Sequence, residues 1–373
     1  MRIGLVVNLK SHMPVRLNAP VDALAEYDSE ETVCGIEAAL MAAGHEVIRL
    51  EADTSLPAAL QRTRPYICFN IAEGLRGEAR ESHVPALLEM LGIPYTGSKV
   101  TTHALSLDKA MTKRIWRDAG LPTGSFQPFR HADEALDSRL TFPLFVKPVQ
   151  EGSGMGINAR SVVHDEVGLR QQVRWVVQNY RQPAIVESYL PGREFTVGMI
   201  GNALLPGERR WEGPRTSSGQ SFYDSSGFHV FPILEIDANV GAGHGVYNTA
   251  AKSYVPGEEG APLYICPAHI SAGLEAELKL LAVAAFRAIN GLDVGRVDFR
   301  LAADGQPVLL EVNTLPGLNP IVSDLCIQAG ADGLAYNDLI TEILRLAMAR
   351  YARERASVVM PVSQDAPSYA DGL

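Results

Sequence analysis

The feature that most constrains the fold is a pair of apolar segments near the C-terminus, which predict two neighbouring strands. The segments are residues 295–300 (Gly-Arg-Val-Asp-Phe-Arg) and 309–317 (Leu-Leu-Glu-Val-Asn-Thr-Leu-Pro-Gly), with an Asp-Gly pair at 304–305 between them. Two strands joined by a short turn would bring Asp298, Glu311 and Asn313 to one end of a sheet. Glu311 and Asn313 are two residues apart, so their side chains share a face, and Arg296 and Asp298 repeat that spacing.

Two carboxylates and an amide oxygen are the kind of ligands that Mg²⁺ takes, usually together with substrate phosphates. The pattern therefore predicts a magnesium site, with Arg296 as a fixed positive charge beside it. Mn²⁺ would accept the same ligands. For these residues alone, a hairpin with a solvated acidic face is an equally good interpretation.

The composition limits the classes of protein and of partner. The chain has 373 residues, enough for two or three domains, and its 46% apolar and 20% charged residues are ordinary for a globular protein. A formal net charge of -10 argues against nucleic acid and against an anionic membrane as partners, since both favour a basic face. A few local lysines could still bind a nucleotide, so a small phosphate ligand stays open.

Nothing in the sequence predicts secretion or membrane insertion. Four cysteines are scattered, without the paired spacing of zinc or redox sites, as expected for reduced thiols in a cytoplasmic protein. The first residues predict a strand and lack the long apolar core of a signal peptide. No segment approaches the roughly 20 apolar residues of a membrane span.

The order of predicted elements indicates an α/β fold, α+β in parts. Short apolar strands at 3–8, 46–50 and 65–71 form a βαβ pattern, in which Asp28 and Glu31 would open the first helix as a capping box. Further helices are predicted at 82–91, 108–119, 165–180, 272–290 and 334–351, and further strands at 144–148 and 184–187. We divide the chain into domains at 1–100, 101–190 and 191–355, followed by a flexible tail at 356–373.

Residues 206–245 are rich in Gly, Ser, Arg and aromatic residues and have no clear periodicity. Long connections of this kind inside compact domains are often lids or binding loops. The aromatic residues give the segment apolar groups to pack, which disfavours a disordered insert. We predict a lid that spans about residues 206–252.

A lysine and a glycine-rich turn in the second unit suggest a phosphate site. Lys147 lies at the end of a predicted strand, and residues 151–156 (Glu-Gly-Ser-Gly-Met-Gly) follow it, with Ser153 as a hydroxyl donor. Such a turn lets backbone N–H groups approach a phosphate closely. For the glycines alone, a plain hairpin turn is the better interpretation, because the Gly-Lys-Ser/Thr of a P-loop is missing.

Four further charged residues could complete a nucleotide site. Lys109 and Lys113 share a helix face, while Glu187 ends a strand and Glu194 follows a hinge at Leu190. The two carboxylates could accept hydrogen bonds from ribose hydroxyls or from an adenine amino group. For the two lysines alone, a solvated helix surface is the usual interpretation. For each of the two acids taken singly, a surface position is an equally good explanation.

The motifs that follow one another along the chain are Gly-Ile-Pro-Tyr-Thr-Gly-Ser at 92–98, Ala-Leu-Ser-Leu-Asp-Lys109, Val-Lys147-Pro, Glu151-Gly-Ser-Gly, Glu187, Glu194-Phe-Thr-Val, Cys-Pro-Ala268, Gly-Arg296-Val-Asp298 and Glu311-Val-Asn313-Thr-Leu-Pro-Gly317. In this order they resemble the D-alanine–D-alanine ligases of the ATP-grasp superfamily. The resemblance extends from about residue 65 to residue 350. It implies an ATP-grasp fold of three α/β units, with ATP between the central and C-terminal units and Mg²⁺ beside it.

The resemblance also implies a role for each motif residue. Nucleotide contacts are implied for Lys109, Lys147, Glu151, Glu187, Leu190, Glu194 and Lys252. Metal ligation is implied for Asp298, Glu311 and Asn313. Catalytic roles are implied for Arg296, the backbone N–H of Gly317, and Ser153. Arg296 and Gly317 would stabilise the oxyanion that forms when an amine attacks an acyl phosphate.

The chain departs from this family where the family binds its amino acids. The family's Gly-Gly-x-Ser-x-Glu turn after the first strand is absent, and Asp28 or Glu26 could replace its carboxylate, although both are also suited to capping a helix. The family's His-Gly pair is replaced by Asn70-Ile-Ala-Glu73-Gly. The candidate substrate residues are therefore Asp28, Asn70, Glu73, Tyr254 after the lid lysine, and Asn319 and Ser323 downstream of Gly317.

The sequence therefore predicts an ATP- and Mg²⁺-dependent ligase that joins a carboxylate to an amine, with small amino-acid-like molecules as substrates. An authentic D-alanine–D-alanine ligase of cell-wall synthesis is the alternative within this class. A catalytically silent, nucleotide-binding regulatory module is a second alternative, which the intact Arg296, Asp298 and Glu311 disfavour. A homodimer through the first unit would fit the resemblance.

Overall fold

Three separate β-sheets, one after another along the chain, organise the structure. The computed structural model describes residues 1–13, 19–204, 213, 222–243, 245–252 and 254–358. The sheets differ in strand direction, and each is covered by helices.

The first sheet is parallel and has the strand order β2-β1-β3. Its elements are β1 (Arg2–Val7), α1 (Glu30–Ala42), β2 (Glu46–Glu51), α2 (Leu56–Thr63), β3 (Ile67–Asn70) and α3 (His83–Met90). The five residues after Arg2 in β1 are all buried, as expected for a parallel strand covered on both faces. The predicted βαβ pattern is confirmed.

The predicted capping box at the start of α1 is wrong. Ser29 is the N-cap residue, and its hydroxyl accepts a hydrogen bond from the backbone N–H of Thr32 at 3.3 Å. Asp28 lies one residue earlier, where its carbonyl accepts from the backbone N–H of Lys10 at 2.9 Å. The carboxyl group of Asp28 is therefore not used by the helix.

The second sheet is antiparallel and has the order β4-β7-β5-β6. Its elements and the two helices before it are α4 (Val100–Leu107), α5 (Lys109–Asp118), β4 (Phe126–Phe129), β5 (Leu144–Pro148), β6 (Val162–Val163), α6 (Glu166–Tyr180) and β7 (Ala184–Ser188). Asp108 and Asp165 cap α5 and α6 with their side chains. The sequence analysis missed α4, whose β-branched and hydroxyl residues have low helix propensity.

The third sheet has the order β11-β10-β8-β12-β13, with β9 paired to β8. Its elements are β8 (Glu194–Gly201), β9 (Phe228–Val230), β10 (Leu234–Asp237), α7 (Thr249–Lys252), β11 (Leu263–Ile265), α8 (Ala272–Ala288), β12 (Asp293–Leu301), β13 (Pro307–Asn313), α9 (Asp324–Ala331) and α10 (Tyr336–Val358). No helix in the described part of the chain is long and apolar enough to cross a membrane.

Two boundaries differ from those predicted. Within the predicted lid, β9 and β10 are strands of the third sheet, and Phe228 and Phe231 are buried in the core, so this part has regular structure. Residues 205–212, 214–221, 244 and 253 of that segment lie outside the described residues. The closing helix α10 continues to Val358, past the predicted start of the tail, and residues 359–373 lie outside the described residues.

Helix α10 connects the first and third sheets. On one side its Ile340 and Leu344 share a buried core with Ile36 and Leu40 of α1. At its C-terminal end, the Arg350 guanidinium donates to Asp293 Oδ2 at 2.7 Å and to the carbonyls of Tyr95 and Gly97 at 3.1 and 3.2 Å.

Asp293, the first residue of β12, completes this anchor. Its carboxylate also accepts from Asn202 Nδ2 and from the backbone N–H of Gly97, each at 2.9 Å. Asp293 and Arg350 are both buried, and a buried carboxylate needs this number of donors to offset the loss of water. The anchor therefore holds the loop between α3 and α4 against the third sheet.

Replacing Arg350 by Met should lower the free energy of unfolding by about 3–5 kcal/mol, because it leaves the Asp293 carboxylate buried without its cation. Urea unfolding followed by tryptophan fluorescence would measure this loss. Arg139→Met is the matched control, since Arg139 is exposed and its ion-pair partner among the described residues is Asp137 on the surface. A variant at Arg350 as stable as the control would contradict the anchoring role.

Candidate active site

The hairpin of β12 and β13 places four polar side chains on one face of the third sheet. In its register Arg296 lies opposite Asn313, and Asp298 lies opposite Glu311. Val297 and Val312, between them in sequence, point to the other face and are buried in the apolar core. A bulge follows Asp298 and ends this regular pairing. The two-residue spacing seen in the sequence therefore becomes one polar surface.

The charges on this surface hold one another in place. Arg296 donates from Nε and from a terminal nitrogen to the two oxygens of Asp298, at 3.1 and 3.3 Å. Asn313 Nδ2 and Thr196 Oγ1 also donate to that carboxylate, at 2.9 and 2.5 Å. Asp324 Oδ2 lies 3.6 Å from Arg296 Nε. Burial disfavours the charged guanidinium, but Asp298 and Asp324 outweigh it and hold the pKa of Arg296 above its usual value.

Three lysines from the second unit meet two carboxylates beside this surface. Lys109 Nζ lies 3.3 Å from Glu311, and Lys147 Nζ lies 3.2 Å from Glu187 and 3.8 Å from Glu311. Lys113 Nζ lies 2.8 Å from Glu187. The lysines are only 6%, 6% and 1% exposed, in the same order, so they do not form the solvated helix surface that was the alternative.

The two carboxylates are held in the charged form. Burial alone would raise the pKa of Glu311, yet Lys109, Lys147 and Lys252 hold it well below its usual range. The pKa of Glu187 is likewise lowered, because Lys113 and Lys147 outweigh its burial. The two carboxylates therefore stay ionised at neutral pH, whereas burial lowers the pKa of Lys113. The lysines outnumber the carboxylates, which suits a phosphate ligand.

The predicted site residues line two adjoining cavities, of about 350 Å³ and about 80 Å³. The larger is lined by Asp28, Asn70, Glu73, Lys109, Glu151, Ser153, Lys252, Arg296, Glu311, Asn313, Gly317, Asn319 and Ser323. The smaller is lined by Lys147, Glu187, Leu190, Glu194, Lys252, Asp298 and Glu311. Lys252 and Glu311 line both cavities. Tyr254 lines neither of them.

The glycine-rich turn connects β5 to β6, which pair in an antiparallel manner, so the hairpin interpretation describes its topology. Ser153 has a positive φ of 49°. Gly154 passes close to the start of α7, where an added Cβ would lie 2.9 Å from the backbone nitrogen of Thr249. Two of its backbone N–H groups are bound by acids of the first unit: Gly152 donates to Glu26, and Gly156 donates to Asp22 at 2.9 Å. The turn thus presents N–H groups to anionic oxygens.

Three residues at the site were not predicted from the sequence. Tyr247 lines both cavities, and Lys252 Nζ lies 4.5 Å from the centre of its ring. Tyr247 thus occupies the position beside Lys252 that was predicted for Tyr254. Asp324, adjacent to the predicted Ser323, faces Arg296. Arg80 donates to Glu26 at 2.5 Å and to Glu151 at 3.0 Å. Asp324 could have been predicted from the sequence, because it is an acid next to a predicted substrate residue. Tyr247 and Arg80 belong to no recognisable motif, so the sequence did not indicate them.

The loop after Gly317 uses its polar groups internally. The backbone N–H of Asn319 donates to Ser323 Oγ at 2.9 Å, and Asn319 Nδ2 donates to Glu31 of α1 at 3.1 Å. An added Cβ at Gly317 would lie 2.8 Å from Ser323 Oγ, so any other residue there would displace the Ser323 side chain. Substrate contacts of Asn319 and Ser323 stay predictions.

Comparison with known proteins identifies the family. Residues 115–227 and 221–345 match the family model of the D-ala D-ala ligase C-terminus. A D-alanine–D-alanine ligase of Anaeromyxobacter sp. (strain Fw109-5) is 34% identical over 310 residues, which are 82% of this chain and 87% of the relative. The chain belongs to the D-alanine–D-alanine ligase family.

Other relatives agree with this membership. A D-alanine–D-alanine ligase of Bordetella avium is 31% identical over 83% of this chain and 87% of its own. The uncharacterized protein y4sG of Sinorhizobium fredii is 36% identical over 85% of this chain and 87% of its own. The family prediction is confirmed, and this D-alanine–D-alanine ligase homologue is an enzyme of the class that forms carbon–nitrogen bonds with ATP.

A solved structure confirms the predicted mixed α/β, ATP-grasp fold of this ligase. The D-alanine–D-alanine ligase from Bacillus anthracis in complex with ATP matches with a TM-score of 0.68 at 22% sequence identity, over 95% of this chain and 99% of the other.

Glu194 of this ligase provides a pH-dependent contribution to stability. Burial raises its pKa from 4.5 to about 7, although Arg300, 3.8 Å away, acts in the opposite direction. The folded state thus binds the proton more tightly than the unfolded state does. The stability that this proton contributes is complete below pH 4.5 and is lost as the pH rises to about 7.

Glu194→Gln should remove this pH dependence. The free energy of unfolding of the wild type, relative to the variant, should fall between pH 4.5 and 7, by at most about 3 kcal/mol. Urea unfolding at a series of pH values would measure it. Glu277→Gln, at an exposed position of α8, controls for the loss of one carboxyl group. A difference that does not change with pH would contradict the raised pKa.

Proposed function

We propose that this family member is an ATP- and Mg²⁺-dependent carboxylate–amine ligase that joins two amino-acid-like molecules through an acyl phosphate. The observation that supports this proposal most is that Lys252 and Glu311 line both cavities. The smaller cavity carries most of the residues implied in nucleotide binding, except Lys109 and Glu151, and the larger one carries those implied in amino-acid binding, except Tyr254. A phosphoryl group between the two cavities would lie beside cations on both sides.

The polar face of the hairpin has a donor set that fits Mg²⁺. Asp298, Glu311 and the amide oxygen of Asn313 would hold the ion, since Asn313 gives its nitrogen to Asp298 and keeps its oxygen. Among the described residues, no three His, Cys, Asp or Glu side chains come together to hold a metal ion, so nucleotide phosphates would complete the ligand set. Bound there, the ion would neutralise charge on the transferred phosphoryl group.

Phosphoryl transfer depends mostly on positioning and on charge, and the protein's own residues provide both. Lys109 and Lys147 are fixed by Glu311 and Glu187, so they need little rearrangement when phosphates bind. Arg296 is fixed by Asp298 at the wall of the larger cavity. A rigid guanidinium there would stabilise the oxyanion that forms on amine attack, together with the backbone N–H of Gly317.

The names of the relatives support amino acids as both substrates, and an authentic D-alanine–D-alanine ligase is compatible with them. The residues on the amino-acid side differ from the family pattern, which favours a different substrate pair. A homodimer through the first unit and a cytoplasmic location, where ATP is available, would fit this function and stay predictions.

The direct test is ADP release over pairs of D- and L-amino acids, with mass spectrometry of the products. We expect ATP-dependent release with at least one pair and a product lighter by one water than the two substrates together. If D-alanine alone is sufficient for ADP release, the result would favour the authentic D-alanine–D-alanine ligase. Purified protein that releases no ADP with any pair, although it binds ATP, would favour the silent regulatory module instead.

Glu311→Gln should lower ADP release on the order of 10²-fold while ATP binding stays measurable, because the amide keeps the shape but loses the charge that faces the metal and the lysines. Single-turnover kinetics and calorimetric ATP titration would separate the two effects. Glu277→Gln is the matched control and should behave as the wild type. Full turnover in the Glu311 variant would eliminate its role as a ligand.

A further inference from the structure

One end of the larger cavity carries negative charge that the fold does not compensate. Asp28, Glu73 and Glu81 all line it. The side chains of Asp28 and Glu73 form no hydrogen bond or ion pair with any described residue. Glu81 lies 3.8 Å from Nδ1 of His103, which is a weak contact. Such acids are costly to ionise unless a cation binds beside them, so they must otherwise take up protons.

The nearby cations are used elsewhere. Arg80 is bound to Glu26 and Glu151, so those two acids already have their partner. Lys10 lines the cavity from an exposed position and makes no ion pair with the three acids among the described residues. The uncompensated charge therefore belongs to Asp28, Glu73 and Glu81.

The electrostatics of the empty cavity agree with this account. Burial, and then the charges of Glu81, Glu26 and Asp28, raise the pKa of Glu73 well above its usual value. Burial raises the pKa of Asp28 to about 7. A bound cation would offset both effects, so these acids favour a positively charged ligand over a neutral one.

An unpaired donor in the same cavity indicates the rest of that ligand. Asn70 is only 3% exposed, and its Oδ1 accepts from the backbone N–H of Ala72 at 3.3 Å. Its Nδ2 has no hydrogen-bond partner among the described residues, although it is buried. A buried amide donor is costly unless an acceptor reaches it. The ligand therefore brings an acceptor together with positive charge, as an amino acid does.

A metal ion would not satisfy these acids. Within the described part of the chain, no group of three His, Cys, Asp or Glu side chains is arranged to hold one. Two unpaired carboxylates in one cavity suit an organic ligand with two cationic groups. Alanine would bring one ammonium group, which leaves one of the two unpaired acids without a partner.

We propose that one amino-acid substrate of this ligase is a diamino acid, whose α-ammonium and side-chain ammonium groups are bound by Asp28 and Glu73. Its carboxylate, the group to be activated, reaches towards Lys252 and Arg296, with Asn70 donating to an acceptor on the same molecule. This inference rests on the proposed ligase function and deepens it.

The test compares substrates that differ in one ammonium group. D- and L-lysine are compared with D- and L-norleucine, each alone and paired with alanine, in ADP release. We expect kcat/KM to be at least about 30-fold higher for one lysine enantiomer than for norleucine, since the second charge is bound in a desolvated site. Norleucine or alanine preferred over both lysines would overturn the proposal.

Variants assign the effect to the two acids. Asp28→Asn and Glu73→Gln keep the side-chain shape, and each should reduce the lysine-to-norleucine ratio of kcat/KM at least about tenfold. Glu277→Gln, far from the site on α8, should leave that ratio unchanged. An unchanged ratio in both cavity variants would overturn the assignment.

A binding measurement separates this inference from the proposed function. Lysine should raise the thermal midpoint of the wild type more than norleucine does, and the Glu73 and Asp28 variants should lose that difference. If lysine protects in this way while no pair of substrates releases ADP, the cation site holds and the ligase proposal fails. If ADP is released without any preference for lysine in either measurement, the ligase proposal holds and the cation site is rejected.

Discussion

The site depends on the mutual neutralisation of three buried lysines with the buried Glu187 and the partly buried Glu311. Each of these ions would cost several kcal/mol to bury alone. Glu187 and Glu311 belong to different sheets, and Lys147 contacts both of them, so the ion group crosses the gap between the second and third sheets. The fold can therefore keep this gap polar and narrow. Because the lysines outnumber the acids, the same arrangement that stabilises the empty protein leaves positive charge for a phosphate.

Strand β12 connects this ion group with the rest of the molecule. Its first residue, Asp293, receives Arg350 from α10, and the alternate residues Arg296 and Asp298 face the cavities. The residues between them point into the apolar core. One strand thus carries an anchor at its start and the catalytic candidates at its middle, so the packing of α10 helps to fix the strand that holds Arg296.

Local patterns predicted what depends on local geometry. The two-residue spacing in β12 and β13 predicted their shared polar face, and the short apolar segments predicted the strands of the first sheet. Tertiary contacts decided the rest. The sequence pattern places Lys113 on a solvated helix face, but the fold buries it. Strands β9 and β10 form by pairing with β8, and β10 also pairs with β11. Asp28 fits a capping box by composition, yet Ser29 is closer to the first free N–H groups of the helix.

Arg80 links the acids of the larger cavity to the glycine-rich turn. It bonds at once to Glu26, to Glu151 and to the carbonyl of Gln150, while Glu26 also accepts from the N–H of Gly152. Glu26, Glu151 and Gly152 all line the larger cavity. A single side chain therefore ties the wall of that cavity to the turn, and a ligand that displaced Glu26 or Glu151 would also shift the turn.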